Sequence, residues 1–136
     1  MTVKGSMSST QATERDTARP PSDASFQDVC PIDAIPPGTG VAALVAGKQI
    51  AIVRTRDGLV AALENFDPFS KAYVIARGIV GDRGGVPKIA SPIYKQSFSL
   101  LSGECLDDPN VRLATYPVRV TGGRVQVAVP ETKKPS

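Results

Sequence analysis

Residues 88–103 read KIASPIYKQSFSLLSG, and this stretch decides the fold of the chain. Ile89 lies at the end of an apolar strand, which must stop at Pro92 because proline lacks an amide hydrogen and fixes φ. A short returning strand follows around Phe98, and Gly103 marks the tight turn that ends it. The stretch therefore predicts a strand, a loop, a second strand and a turn, a pattern typical of small all-β domains.

The rest of the chain carries the same kind of signal. Its 136 residues include 12 glycines and 12 prolines, which favours short strands joined by turns over helices. Apolar alternation bounded by turn residues predicts further strands at residues 26–30, 41–45, 49–55, 59–64, 78–82, 86–90, 116–120 and 124–129. We therefore predict an all-β fold, an antiparallel β-sandwich or barrel with a small inserted loop-hairpin subdomain.

Three regions differ in composition. Residues 1–25 are polar and nearly free of large apolar side chains, so we expect a disordered N-terminal tail. Residues 26–130 hold the strand signals and are predicted to form the β domain, with residues 65–103 as its inserted subdomain. Residues 131–136 are predicted to be a short C-terminal tail.

Charge and hydropathy exclude several classes of function. The net charge is +3, but residues 26–130 hold 11 bases and 9 acids, which is too balanced for a nucleic-acid surface. No apolar run is long enough to span a membrane. Cys30 and Cys105 match no metal-ligand spacing and are predicted to be free thiols. Because residues 1–25 lack the apolar segment of a signal peptide, we expect a reducing, cytoplasmic location.

The stretch around Pro92 resembles the second cluster-binding loop of Rieske ferredoxins, which reads Cys-Pro-x-His-Gly-x-x-Phe-x-Leu-x-x-Gly. Ser91 stands at the position of the cysteine, Tyr94 at that of the histidine, and Lys95 at that of the glycine. Four positions of the motif are kept: Pro92, Phe98, Leu100 and Gly103. The resemblance implies a Rieske-like fold.

The first cluster-binding loop is changed in the same way. Residues 62–70 resemble the strand that leads into the Cys-x-His ligand pair, with Asp67 at the cysteine and Phe69 at the histidine. A Rieske centre needs two thiolates on one iron and two imidazoles on the other, and this chain has no histidine. The resemblance therefore implies the fold without the cluster, and we predict no cofactor and no metal in this chain.

The four altered positions have two interpretations. Phe69 and Tyr94 are predicted mainly to fill the space of the lost cluster, because a cavity there would be costly. The alternative is a repurposed surface, since aromatic and basic side chains gather in the two loops as they do at protein interfaces. The candidate partner-docking residues are Phe66, Tyr73, Arg77, Tyr94 and Lys95.

No set of residues predicts catalysis. Without histidine, no serine or cysteine has an evident base, and Tyr94 beside Lys95 is a weak acid–base signal. Glu64, Asp67 and Asp82 match no known cation-binding loop. The pair Asp107-Asp108, next to proline and asparagine, is predicted to be a solvated turn. We therefore expect no catalytic residue in this chain.

One branch of the Rieske-like proteins shares the departures from the ligand motif: the small subunits of NAD(P)H-dependent assimilatory nitrite reductase. The shared runs are residues 62–65, 67–70, 77–85, 91–96 and 105–109. This resemblance implies a large-subunit partner that carries FAD, an iron–sulfur cluster and siroheme and uses NAD(P)H to reduce nitrite to ammonium. It implies a non-catalytic, cytoplasmic subunit that acts by docking. Two alternatives stay open: a β-barrel module binding nucleic acid or another protein, and an autonomous Rieske-type electron-transfer ferredoxin.

Overall fold

A computed structural model describes residues 25–129, so both predicted tails lie almost wholly outside the described residues. Within that range the chain forms twelve antiparallel strands and, besides turns, only short 3-10 segments such as Ile32–Ala34 and Ile75–Arg77. The strands are β1 (Phe26–Pro31), β2 (Thr39–Val45), β3 (Lys48–Arg54), β4 (Val60–Glu64), β5 (Phe66–Asp67), β6 (Ala72–Tyr73), β7 (Ile79–Arg83), β8 (Val86–Ala90), β9 (Ser97–Ser99), β10 (Thr115–Tyr116), β11 (Val118–Thr121) and β12 (Arg124–Ala128). The prediction of an all-β antiparallel fold is confirmed.

The central sheet has the strand order β10-β4-β3-β2. Both faces of β3 are buried: Ile50 and Ile52 pack into one apolar cluster, and Ala51 and Val53 pack into the other. This explains why residues 50–53 of β3 are all apolar, because a strand segment covered on both faces has no side that faces solvent. The sheet therefore lies between two cores.

The first core is closed by a three-stranded sheet of order β1-β12-β11. Val125 and Val127 of β12 are fully buried against the Ile50 and Ile52 face of the central sheet. The alternation predicted for residues 124–129 is thus that of a half-buried strand, as the pairing of β12 with β1 and β11 requires.

The second core joins the inserted subdomain to the central sheet. Ile89 and Phe98, both fully buried, pack with Leu63 of β4 and Val53 of β3. In the insertion, the predicted hairpin is β7–β8, and the returning strand predicted around Phe98 is β9, which completes a three-stranded sheet; the pairing of β5 with β6 was not predicted. These two sheets position the loops at residues 67–71 and 91–95. Among residues 25–129 there is no helix long and apolar enough to cross a membrane.

Candidate functional site

Asp67 anchors the first loop from inside the protein. Its side chain is fully buried at the end of β5. Oδ1 accepts a hydrogen bond from the amide of Phe69 at 2.9 Å, and Oδ2 accepts one from the Ser70 hydroxyl at 2.8 Å. The residue at the position of a cluster thiolate is thus a carboxylate that organises its own loop.

Ser91 plays the matching part in the second loop. It is also fully buried, and its hydroxyl donates a 2.6 Å hydrogen bond to Oδ2 of Asp67. The two loops, 24 residues apart in sequence, are therefore joined where two thiolates would share an iron atom in the resembled family. A short hydrogen bond to an ionised carboxylate is among the stronger hydrogen bonds in proteins.

The backbone of the two loops is alike as well. The amide of Lys71 donates to the carbonyl of Asp67 at 2.7 Å, and the amide of Lys95 donates to the carbonyl of Ser91 at 3.1 Å. Each lysine lies in the left-handed region, with φ of 62° at Lys71 and 67° at Lys95. Each loop is therefore a five-residue turn that begins at a buried polar residue and ends at a left-handed lysine.

The electrostatics of Asp67 fit a structural role. Burial raises the pKa of its carboxyl. Hydrogen bonds from Ser91, Ser70 and the amide of Phe69 lower the pKa by more than burial raises it, so the pKa of Asp67 lies below the ordinary aspartate value. The carboxylate is consequently ionised at neutral pH and has its acceptor sites occupied. Such a group holds neighbouring loops in place and does not exchange protons near pH 7.

An iron–sulfur cluster does not fit these side chains. The four positions offer a carboxylate, a hydroxyl, a phenyl ring and a phenol, whereas a Rieske centre needs two thiolates and two imidazoles. Asp67 and Ser91 are also bonded to each other instead of facing an open site. Within residues 25–129, no group of three or more His, Cys, Asp or Glu side chains could hold a metal ion.

The two aromatic residues at the former histidine positions behave differently. Phe69 is half-buried and packs on Phe98, with ring centroids 6.2 Å apart, as a space-filling residue would. Tyr94 is 59% exposed, so the prediction that it fills the lost cluster space is wrong. The Asp67–Ser91 hydrogen bond brings the loops together, which leaves the phenol outside.

The candidate docking residues fall into two groups. Phe66 and Tyr73 are opposite each other on β5 and β6, and their rings meet edge-on with centroids 5.0 Å apart. They line an open groove of about 400 Å³ with Leu44 and Tyr116. The other three candidates, all exposed, are not part of that groove's lining: Arg77, Tyr94 and Lys95.

Several exposed apolar residues were not among the docking candidates predicted from the sequence. Leu44 is 73% exposed, Ile79 60% and Ile93 45%, and none carries a sequence signal that distinguishes it from a core residue. The left-handed turn at Lys95 did have a signal, since the residue occupies a glycine position of the resembled motif. Glycine commonly marks a positive φ, so a lysine there predicts a strained turn.

Asp107 is exposed, as predicted for a solvated turn, and its carboxylate also forms contacts that were not predicted. Its carboxylate accepts a hydrogen bond from the amide of Ser97 at 2.8 Å and forms an ion pair with Arg83 at 3.0 Å. The amide of Ser97 and the Arg83 side chain both lower the pKa of Asp107. Asp107 thus ties its loop to β9 and β7. A substitution of Asp107 would therefore disturb these contacts as well as any contact with a partner protein.

Comparison with known proteins identifies the family. Residues 25–128 match the family model described as a Rieske-like [2Fe-2S] domain. The nitrite reductase (NADH) small subunit of Salmonella typhimurium is 43% identical over 103 residues, which are 75% of this chain and 95% of that protein. The chain belongs to the nitrite reductase small-subunit family. The prediction of this family from the altered ligand positions is confirmed.

Two further relatives extend the comparison. A crystal structure assigned as the NADH-dependent nitrite reductase small subunit of Mycobacterium tuberculosis is 50% identical, with a TM-score of 0.76 over 79% of this chain and 96% of that one. The nitrite reductase [NAD(P)H] large subunit of Klebsiella oxytoca is 41% identical over 102 residues, 75% of this chain and 11% of that protein. A domain like this one is therefore part of a longer polypeptide in Klebsiella.

Proposed function

We propose that this chain is the non-catalytic small subunit of a cytoplasmic NAD(P)H-dependent nitrite reductase and acts by docking to the large subunit. The observation that carries the proposal is the Klebsiella oxytoca large subunit, in which a segment similar to this chain is covalently joined to the rest of the enzyme. A domain that is fused to a protein in one organism often binds the same protein as a separate chain in another.

The site chemistry supports a role without electron transfer by this chain. Asp67 and Ser91 satisfy each other where a ferredoxin would need two thiolates. FAD, siroheme, an iron–sulfur cluster and the NAD(P)H site would then belong to the large subunit, as the family resemblance implies. Neither the autonomous ferredoxin nor the nucleic-acid module gains a supporting contact from residues 25–129.

The docking surface that we propose lies on the inserted subdomain, residues 65–103 of a domain spanning residues 26–130. Tyr73 and Tyr94 are both more than half exposed, and large exposed aromatic residues are frequent energetic centres of interfaces. Arg77 and Lys95 provide charge beside them, and Phe66 supports Tyr73 through ring contact.

The test is the affinity of the isolated chain for the large subunit of its source organism, measured by titration calorimetry. We expect a one-to-one complex, and Tyr73→Ala to weaken it by roughly 2 kcal/mol because a central exposed ring is lost. Val120→Ala is the control, since Val120 is 44% exposed but lies on β11, outside the inserted subdomain, and it should bind like the parent chain.

Two negative results have different meanings. If the unmodified chain forms no complex with the large subunit, the proposed function is wrong. If the complex forms and Tyr73→Ala binds as tightly as Val120→Ala, the function stands and the groove of Phe66 and Tyr73 is not the docking centre. Circular dichroism of each variant establishes that the fold is retained.

A further inference from the structure

Lys71 and Lys95 occupy equivalent places at the ends of the two five-residue turns. Both have a left-handed backbone conformation, which is strained for any residue with a Cβ and free of strain for glycine. Residues 84 and 85, in the β7–β8 turn, are glycines with positive φ, so this chain does use glycine where only the turn matters. At the two loops it carries a cation in the same conformation.

The charge of the surrounding segments has one sign. Residues 68–81 and 91–96 contain three bases, Lys71, Arg77 and Lys95, and no acid. All three bases are exposed. Two carboxylates border these segments. Asp67 is fully buried and accepts hydrogen bonds from the loops themselves, and Asp82 is exposed on β7 and accepts a hydrogen bond from the Gly85 amide. The loops therefore present positive charge to solvent.

An apolar centre lies between the ends of the second turn. Ile93 and Tyr94 follow Pro92 and are 45% and 59% exposed, immediately before Lys95. The turn points them outward because the Ser91 hydroxyl accepts a hydrogen bond from the Ile93 amide at 3.2 Å while it donates to Asp67. Exposed apolar side chains beside cations match the centre and rim of an interface.

We propose that the turns 67–71 and 91–95 recognise an acidic surface of the large subunit that also has an apolar recess for Ile93 and Tyr94. This inference rests on the proposed function and adds the chemistry of the partner surface. Lys71 and Lys95 steer the encounter and fix the register, because complementary charges at an interface rim act chiefly on association and specificity. The second turn places Lys95 directly after Ile93 and Tyr94, and the Asp67–Ser91 hydrogen bond joins this turn to the one that ends at Lys71.

The test uses glycine in place of both lysines, Lys71→Gly with Lys95→Gly. Since glycine relieves the left-handed strain, this variant should unfold at the same or a higher temperature than the parent. Its affinity for the large subunit should nevertheless fall roughly fivefold at low ionic strength, with a difference that shrinks as salt screens the charges. The double Lys→Arg variant keeps the charges and should bind like the parent.

The control is Ala46→Gly, which relieves a left-handed residue of φ 50° in the β2–β3 turn without removing charge. It should be at least as stable as the parent and bind the large subunit unchanged. Equal affinity of the double glycine variant and the parent at every salt concentration would overturn this inference, while leaving complex formation intact. Absence of any complex with the unmodified chain would overturn it together with the proposed function.

Discussion

Gly103→Ala should remove about 3 kcal/mol or more of the free energy of unfolding, a large part of what holds a domain of this size folded. A Cβ at this position would lie 2.1 Å from the carbonyl oxygen of Leu113, and φ is 81°. The backbone cannot move aside easily, because the Gly103 carbonyl accepts from the Leu113 amide at 2.8 Å. Urea unfolding followed by circular dichroism measures the loss.

Gly123→Ala distinguishes the cost of the steric contact from the cost of the left-handed backbone conformation. Gly123 has a similar φ of 78°, but a Cβ there would meet nothing within 4 Å. Alanine at Gly123 should therefore cost only the conformational strain, about 1 kcal/mol. If both variants lose the same amount, the close approach of Gly103 to Leu113 does not limit the fold.

Asp67→Ala should destabilise the domain by about 3 kcal/mol, because it deletes a buried acceptor shared by two loops. The Ser91 hydroxyl, which is fully buried, would lose its partner, and the Phe69 amide and Ser70 hydroxyl would lose theirs. Ser91→Ala should cost less, since the carboxylate keeps its hydrogen bonds from Phe69 and Ser70. A double-mutant cycle between Asp67 and Ser91 should give a coupling of at least about 1 kcal/mol.

The pH dependence of stability provides a second test of the contribution of the Asp67 carboxylate. Because the folded-state pKa of Asp67 lies below its ordinary value, its contribution is fully present above about pH 4 and is lost as the pH falls through the folded pKa. Asp67→Asn should therefore show a smaller loss of stability on acidification than the parent. Identical acid profiles, or coupling energies near zero, would show that the carboxylate does not join the loops.

Strands could be predicted from the sequence where turn residues and the alternation of apolar side chains indicate the same boundaries. Strand β8 runs from Val86 to Ala90 as predicted, between a Gly-Gly turn and a Ser-Pro stop. The pair β5–β6 could not be predicted, because each strand has only two residues. Its position depends on Asn65, whose buried side chain accepts a hydrogen bond from the Ala76 amide at 2.8 Å. A hydrogen bond between residues eleven positions apart produces no local sequence pattern from which the strand pair could be predicted.

The candidate site was predicted in position but not in organisation. The resemblance placed Asp67 and Ser91 at thiolate positions of one iron, which already implied that the two side chains lie close together. The hydrogen bond between them needs the folded structure, and so does the outward direction of Tyr94, since a ring that could fill a gap is exposed once the loops are joined directly. Burial is a property of the assembled loops rather than of residue type.

The central claim is that this chain supports nitrite reduction through contact and without a cluster of its own. The most direct measurement takes the chain produced alone under iron-replete, anaerobic conditions and analyses its iron and acid-labile sulfide. The same preparation is then added to a large subunit isolated without it, and complex formation and nitrite-dependent NAD(P)H oxidation are recorded. We predict a colourless, iron-free chain that binds the large subunit and is active in the complex. Stoichiometric iron and sulfide in the chain, with activity proportional to them, would contradict this account.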